Sequence, residues 1–372
     1  MKNSNFRMSL AGGMKMSKCS GAQPTTTLLS KKSLQRPLLS LMLALALATT
    51  GLLFGCTTGG STEDPAGRTN GNPGASEGLG RQIIIGSMVT EDILPMWVAE
   101  EESIFSEYGI DATVVTFQSA QELSTAVVSG SVDIAMTDIM VSATLSAAGT
   151  PVVMEWVALG VTPEQGRFGI LANPARGITS PEQLAGVPVG VGSNTLVEYV
   201  MYKLLKKAGL SDDQIVTEEI KKVPVRYEMM TSDQIAAAAL PGALLALGEA
   251  TGMVLVADDS TGDNLSQTVM IVREDFADTT EGLAMIETLA SVWDDSVARI
   301  NATPESYRSL LVQKAQLPEP VKENYKIAEY PQVQKPTSEM VDPVLDWMLM
   351  KGYLSKKLSY DYSSGSFITP AS

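Results

Sequence analysis

The chain of 372 residues contains no histidine and only two cysteines, Cys19 and Cys56. Without histidine there is no Ser-His-Asp triad, no imidazole general base and no His/Cys zinc site, so three large classes of chemistry are excluded by inventory. Carboxylate chemistry, lysine chemistry and oxygen-ligated metals pass that test. Negative charge is missing from one region as well: the first 55 residues hold no Asp or Glu against seven Lys or Arg. A nucleotide-phosphate cradle is also lacking, since neither G-x-x-x-x-G-K-[ST] nor G-x-G-x-x-G occurs in the one strand-turn-helix that invites it, "VPVGVGSNTLVEYV" (Val187–Val200).

The basic N-terminal stretch ends in "KKSLQR", and "PLLSLMLALALATTGLLFGC" follows. A positive segment, an apolar segment and small residues in that order form a secretory signal pattern. The end of it, Leu53-Phe54-Gly55-Cys56, resembles the lipobox of bacterial lipoproteins, which implies lipidation of Cys56 as the new N-terminus. An uncleaved membrane span is the alternative, because residues 37–55 are nearly long enough to cross a bilayer. A Cys at that point followed by a linker fits cleavage better. Cleavage before Cys56 removes seven positive charges and no negative ones, taking the formal charge from −15 to −22. So acidic a surface repels phosphate backbones, which argues against nucleic-acid binding. Cys19 leaves with the leader and lipid consumes Cys56, so no thiol remains for a disulfide. Residues 57–81 are mostly Gly, Ser, Thr, Asn and Pro and read as a flexible tether.

From Gln82 onward short apolar runs alternate with helical patterns, the mark of an α/β fold with mostly parallel strands. "IIIGSM", "DATVVTF", "VDIAMTD" and "PVVMEWVAL" read as strands, with helices at "ILPMWVAEEESIF", "AQELSTAVVSG" and "IMVSATLSAAG" between them. A second set follows, with strands at the Val187 run, near "QIVTEEI", at "IAAAAL" and at "MVLVADD"; the last third is chiefly helical. Two such sets predict two Rossmann-like lobes that close as a clamshell. The expected organisation is a leader over 1–55, a tether over 56–81, a first lobe over 82–175, a second over 176–265, and a return over 266–372. The crossings between lobes are expected near Asn173–Gly177 and Ser266–Ile271.

The order "IGSM…LPMWVAEEESIFSEYGIDATVVTFQSAQELSTAVVSGSVDIAMTD", "GITSPEQLAGVPVGVGSNTLVEYVMYKLLKKAGL" and "VREDF" resembles the nitrate/sulfonate/taurine and thiamine-precursor group of ABC-importer solute-binding proteins. The resemblance runs from about Ile83 to Leu354. It implies the type II periplasmic-binding fold and capture of a small nutrient outside the cell. It also implies permease and ATPase partners, a monomer held on the extracytoplasmic membrane face through Cys56, and no cofactor, metal or catalytic residue. Pyrimidine-synthesising enzymes share the fold, but the histidine and Cys-rich motif associated with them are missing here. A lipoprotein that senses or adheres without transport is the other alternative.

In open α/β sheets ligands sit at the carboxyl ends of strands. In the first lobe this points to Thr90, Glu91, Gln118, Ser119, Thr137, Asp138 and Trp156, the last as an aromatic wall; in the second, to Ser193, Asn194, Thr195, Arg226 and Tyr227. Each has a plainer reading. Ser119 and Asp138 suit helix N-caps, and Arg226 beside Glu228 suits a surface ion pair. Acidic groups favour an amino-bearing heterocycle of the thiamine-precursor kind. Arg226 and the helix N-termini favour a sulfonate or carboxylate, with an aliphatic sulfonate the second choice.

Overall fold

The computed structural model describes residues 82–368, so the leader, Cys56 and the whole tether lie outside it. The first group of elements is β1 (Ile83–Met88), α1 (Leu94–Glu101), α2 (Ile104–Glu107), β2 (Ala112–Phe117), α3 (Ala120–Ser129), β3 (Ile134–Asp138), α4 (Ile139–Ala147) and β4 (Val152–Leu159). The second is β5 (Phe168–Ala172), β6 (Pro188–Val191), α5 (Leu196–Lys207), β7 (Val216–Glu219), α6 (Val223–Thr231), β8 (Ala237–Pro241), α7 (Gly242–Ala250) and β9 (Val254–Asp258). The chain closes with β10 (Thr268–Arg273), α8 (Glu274–Ala277), α9 (Thr280–Ala302), α10 (Arg308–Lys314), α11 (Ser338–Met350) and a hairpin of β11 (Ser359–Asp361) and β12 (Ser366–Ile368).

The strands form two sheets. One has the order β11-β12-β4-β10-β3-β1-β2 and the other β7-β6-β8-β5-β9. In each, the β/α repeats pair in parallel (β1 with β2 and β3, β6 with β7 and β8). Helices cover both faces, so every residue of "IAMTD" in β3 and "AAALP" in β8 is buried. The strands that follow each crossing run the other way: β5 is antiparallel to β8 and β9, and β10 to β3 and β4.

This pairing moves the first expected crossing. The expected boundary at 175 puts Phe168–Ala172 in the first lobe, yet this strand hydrogen-bonds inside the second sheet, so the chain crosses between Leu159 and Phe168. Asn173 ends that strand as a buried anchor. Its amide donates to the Met230 carbonyl at 2.9 Å and its oxygen accepts from the Ala175 N–H at 2.9 Å. The return crossing runs from Asp258 to Thr268. The two crossings touch at Gly160, which has φ 92° and leaves no space for a Cβ beside the Ser266 carbonyl. Only glycine suits both the left-handed backbone and that approach.

The helix expected over "ILPMWVAEEESIF" breaks at Ser103, whose φ of 62° turns the chain so that Ile104 and Phe105 reach the core. Three tryptophans mark the first lobe's centre. Trp97, Trp156 and Trp293 are each at most 1% exposed, and Trp156 lies 5.8 Å from Trp293, ring centre to ring centre. A fourth, Trp347 on α11, packs edge-on against Tyr199 of α5 at 5.3 Å and so joins the C-terminal helix to the second lobe. Among the described residues, no helix is long and apolar enough to cross a membrane.

Candidate ligand site

The carboxyl ends of β1 and β3 face those of β6 and β8 across a cleft with an empty volume of about 600 Å3, counting the part open to solvent. The first lobe contributes Thr90, Asp92, Thr137, Asp138 and Thr268 to its lining. From the second lobe come Phe168, Gly192, Thr195, Lys221 and Arg226.

Asp138 spans the gap. It ends β3 and caps α4, taking the Val141 N–H on Oδ1 at 2.8 Å. Its other oxygen takes the Leu196 N–H at 3.0 Å, which is the first residue of α5 in the opposite lobe. One carboxylate therefore takes one N–H at the start of each of two helices. Burial pushes its carboxyl up to about 6, against the pull of those N–H groups. Asn194 makes a second bridge, its Nδ2 donating to Thr144 Oγ1 of α4 at 2.6 Å. Its φ of 57° is left-handed, a conformation that asparagine tolerates better than most residues. Lys221 adds a third bridge to Gln121 at 2.6 Å. The lobes stand closed.

Asp92 is 6% exposed and accepts from Thr268 Oγ1 at 2.8 Å; burial raises its carboxyl too. Its neighbour Glu91 turns away from the cleft and accepts from the Tyr325 hydroxyl. Burial and the adjacent Asp92 raise Glu91 to about 7. Gly242, the first residue of α7, lies against Glu91 Oε1 and the Tyr325 hydroxyl so closely that a Cβ would collide with both.

Arg226 is 1% exposed, although its place beside Glu228 suggested a surface ion pair. It lies under Gly190 and Gly192, whose missing side chains make room for its stem and Nη1. Nη1 donates to the Ile220 carbonyl at 3.0 Å, while Nε is buried without a partner. Desolvation lowers the guanidinium to about 10, opposed by the charge of Glu219.

Of the residues singled out from the sequence, Thr90, Thr137, Asp138, Thr195 and Arg226 line the cleft. Ser119, Ser193 and Asn194 line a groove on one flank, and Glu91 and Gln118 line a hollow on another. Ser119 is indeed an N-cap, accepting from the Glu122 N–H. Two do not belong. Trp156 sits in the core against Trp293, and Tyr227 reaches Thr251 at 3.2 Å on an exposed face. Asp92, Phe168, Lys221 and Thr268 were missed. Asp92 is placed by a single tight turn, Glu91–Ile93, which points one acid inward and the other away. No alternation in the sequence announces such a turn.

The profile of a family described as "NMT1/THI5 like" matches residues 90–305, more than half of the chain, and the chain belongs to that family. No curated protein matches it in sequence. Among solved structures it is similar to the alkanesulfonate-binding protein SsuA from Xanthomonas axonopodis pv. citri bound to MOPS. That match has 18% identity and a TM-score of 0.64, covering 74% of this chain and 95% of the other. It is similar to the periplasmic aliphatic sulphonate binding protein SsuA from Escherichia coli (18%, TM-score 0.62, 74% and 94% covered). It is also similar to the periplasmic nitrate-binding protein NrtA from Synechocystis PCC 6803 (13%, TM-score 0.59, 74% and 82% covered). The fold is that of a type II periplasmic binding protein.

Proposed function

We propose that this member of the NMT1/THI5-like family is the extracytoplasmic solute-binding component of an ABC importer. It captures a small organic nutrient in the cleft and delivers it to a membrane permease and its ATPase. The observation that carries this reading is Asp138, which ends a strand of one lobe and holds the first helical N–H of the other across a cleft lined by both. Solute capture by closure uses such an arrangement. The missing histidine weighs against a pyrimidine-synthesising enzyme on the same fold. The solute favoured is a nitrogen heterocycle of the thiamine-precursor kind, with an aliphatic sulfonate second. Mass spectrometry of small molecules released by heat from the purified protein should find one bound solute. Adding it back should compact the protein in small-angle scattering and raise its melting temperature by mass action. Recovery of no solute and an unchanged scattering profile would sink this reading.

The mature chain is proposed to be a monomer held at the membrane through lipid on Cys56. Two acyl chains hold a protein firmly where one is marginal, so Cys56→Ser should leave unprocessed precursor or release the protein from membranes. Normal processing with membrane retention in that variant refutes the anchor.

A further inference from the structure

The two walls of the cleft carry opposite charge. Asp92 and Asp138 stand on the first lobe's wall, 6% and 8% exposed. Arg226, 1% exposed, stands on the second, with the more exposed Lys221 beside it. Neutral groups hold all three buried charges: the Thr268 hydroxyl holds Asp92, two backbone N–H groups hold Asp138, and the Ile220 carbonyl holds Arg226. Among the described residues no opposite charge lies within the 4.0 Å of an ion pair from any of them. Glu219, the carboxylate whose field reaches Arg226, is exposed and already takes the N–H and hydroxyl of Ser193.

Such an arrangement is costly when empty. A buried guanidinium with an unpartnered N–H loses hydration without compensation, and an anion placed on it restores a charge-assisted bond. The carboxylates have the converse need. Asp138 already takes one N–H at the start of each of α4 and α5 and places its negative charge there, which disfavours an oxyanion at those two helix ends. Arg226 offers it a buried cation with an unpartnered N–H.

We infer that the solute is dipolar and lies across the cleft in one direction. Its oxyanion (a carboxylate, sulfonate or phosphate ester) pairs with Arg226 on the second lobe. Its protonated amine or amidinium lies against Asp92 and Asp138 on the first. This rests on the solute-receptor reading and adds charge pattern and orientation to it. Each lobe holds one end, so a molecule with a single charge leaves one wall unpaired and joins the lobes less tightly.

The test is calorimetry on the wild-type protein with two matched triads of probes, one on a three-carbon chain and one on a pyrimidine ring. Each triad has an amine-only member, an oxyanion-only member and a member bearing both. In at least one triad the dipolar member should bind about 10- to 100-fold more tightly than either singly charged one, the effect of one hydrogen-bonded charge. In Arg226→Gln the gain of the dipolar member over the amine-only member should fall away. Equal binding of singly charged and dipolar members overturns the inference, and so does failure of every member to bind. The wild-type comparison needs no variant, so it decides even where Arg226→Gln fails to fold. The receptor reading fails on different grounds, namely recovery of no solute of any charge.

Discussion

Trp156→Ala is expected to lower global stability by about 3–5 kcal/mol, the usual cost of truncating a large buried aromatic, and to leave affinity for the released solute unchanged while the protein is folded. The side chain is 1% exposed, packs against Trp293 with ring centres 5.8 Å apart and planes tilted by 56°, and belongs to the tryptophan core of the first lobe. Its indole Nε1 has no hydrogen-bond partner, so Trp156→Phe gives up packing but no bond and should cost clearly less. Trp293 differs, because its Nε1 donates to the Pro331 carbonyl at 2.9 Å. Urea unfolding followed by far-ultraviolet circular dichroism measures the loss, and calorimetry below the transition measures binding. A Trp156→Ala protein of near-normal stability with weakened binding would return Trp156 to the cleft wall.

Trp156 also shows where sequence reading ends. The strand "PVVMEWVAL" is legible as β4 from composition, and its carboxyl end is a fair place to look for a ligand. Which face of that strand meets the cleft depends on α9, more than a hundred residues later, which supplies Trp293. Arg226 fails for a related reason. Its sequence neighbours are polar, but the strand-turn segment holding Gly190 and Gly192 folds over it and removes it from water. Signals that act within a few residues came through. Ser119 and Asp138 cap the helices they precede, and the Ser180–Gln183 capping box is formed. Asn194 was legible as a turn residue, though its bond to Thr144 in the other lobe was not. The first crossing was displaced because "RFGILA" looks like any short extended connector. Only its pairing with β8 and β9 identifies it as a strand of the second sheet.

Asp138→Ala is expected to weaken the closed form by about 2–4 kcal/mol, roughly one and a half to three decades of solute affinity at ~1.4 kcal/mol per decade. Two backbone N–H groups, of Val141 and Leu196, lose their acceptor in a nearly dry site. The Leu196 N–H regains water when the lobes part, so part of the loss falls on closure instead of folding. Asp138→Asn retains one carbonyl oxygen and should cost about half as much. The Asn variant also isolates the titration. Burial holds the Asp138 carboxyl at about 6, above the 3.8 of an exposed chain, so the folded protein binds the proton more tightly than the unfolded chain. That contribution is fully present below pH 3.8 and is lost as the pH rises through about 6. Glu91 and Asp92 shift in the same direction, so the wild-type profile contains all three. Subtracting the Asn profile leaves Asp138. The variant's deficit in folding stability should therefore be largest near pH 4 and shrink above about pH 6, measured by urea unfolding of the solute-free protein across that range. A deficit that grows with pH instead would mean that the ionised carboxylate is the form the two helix ends prefer.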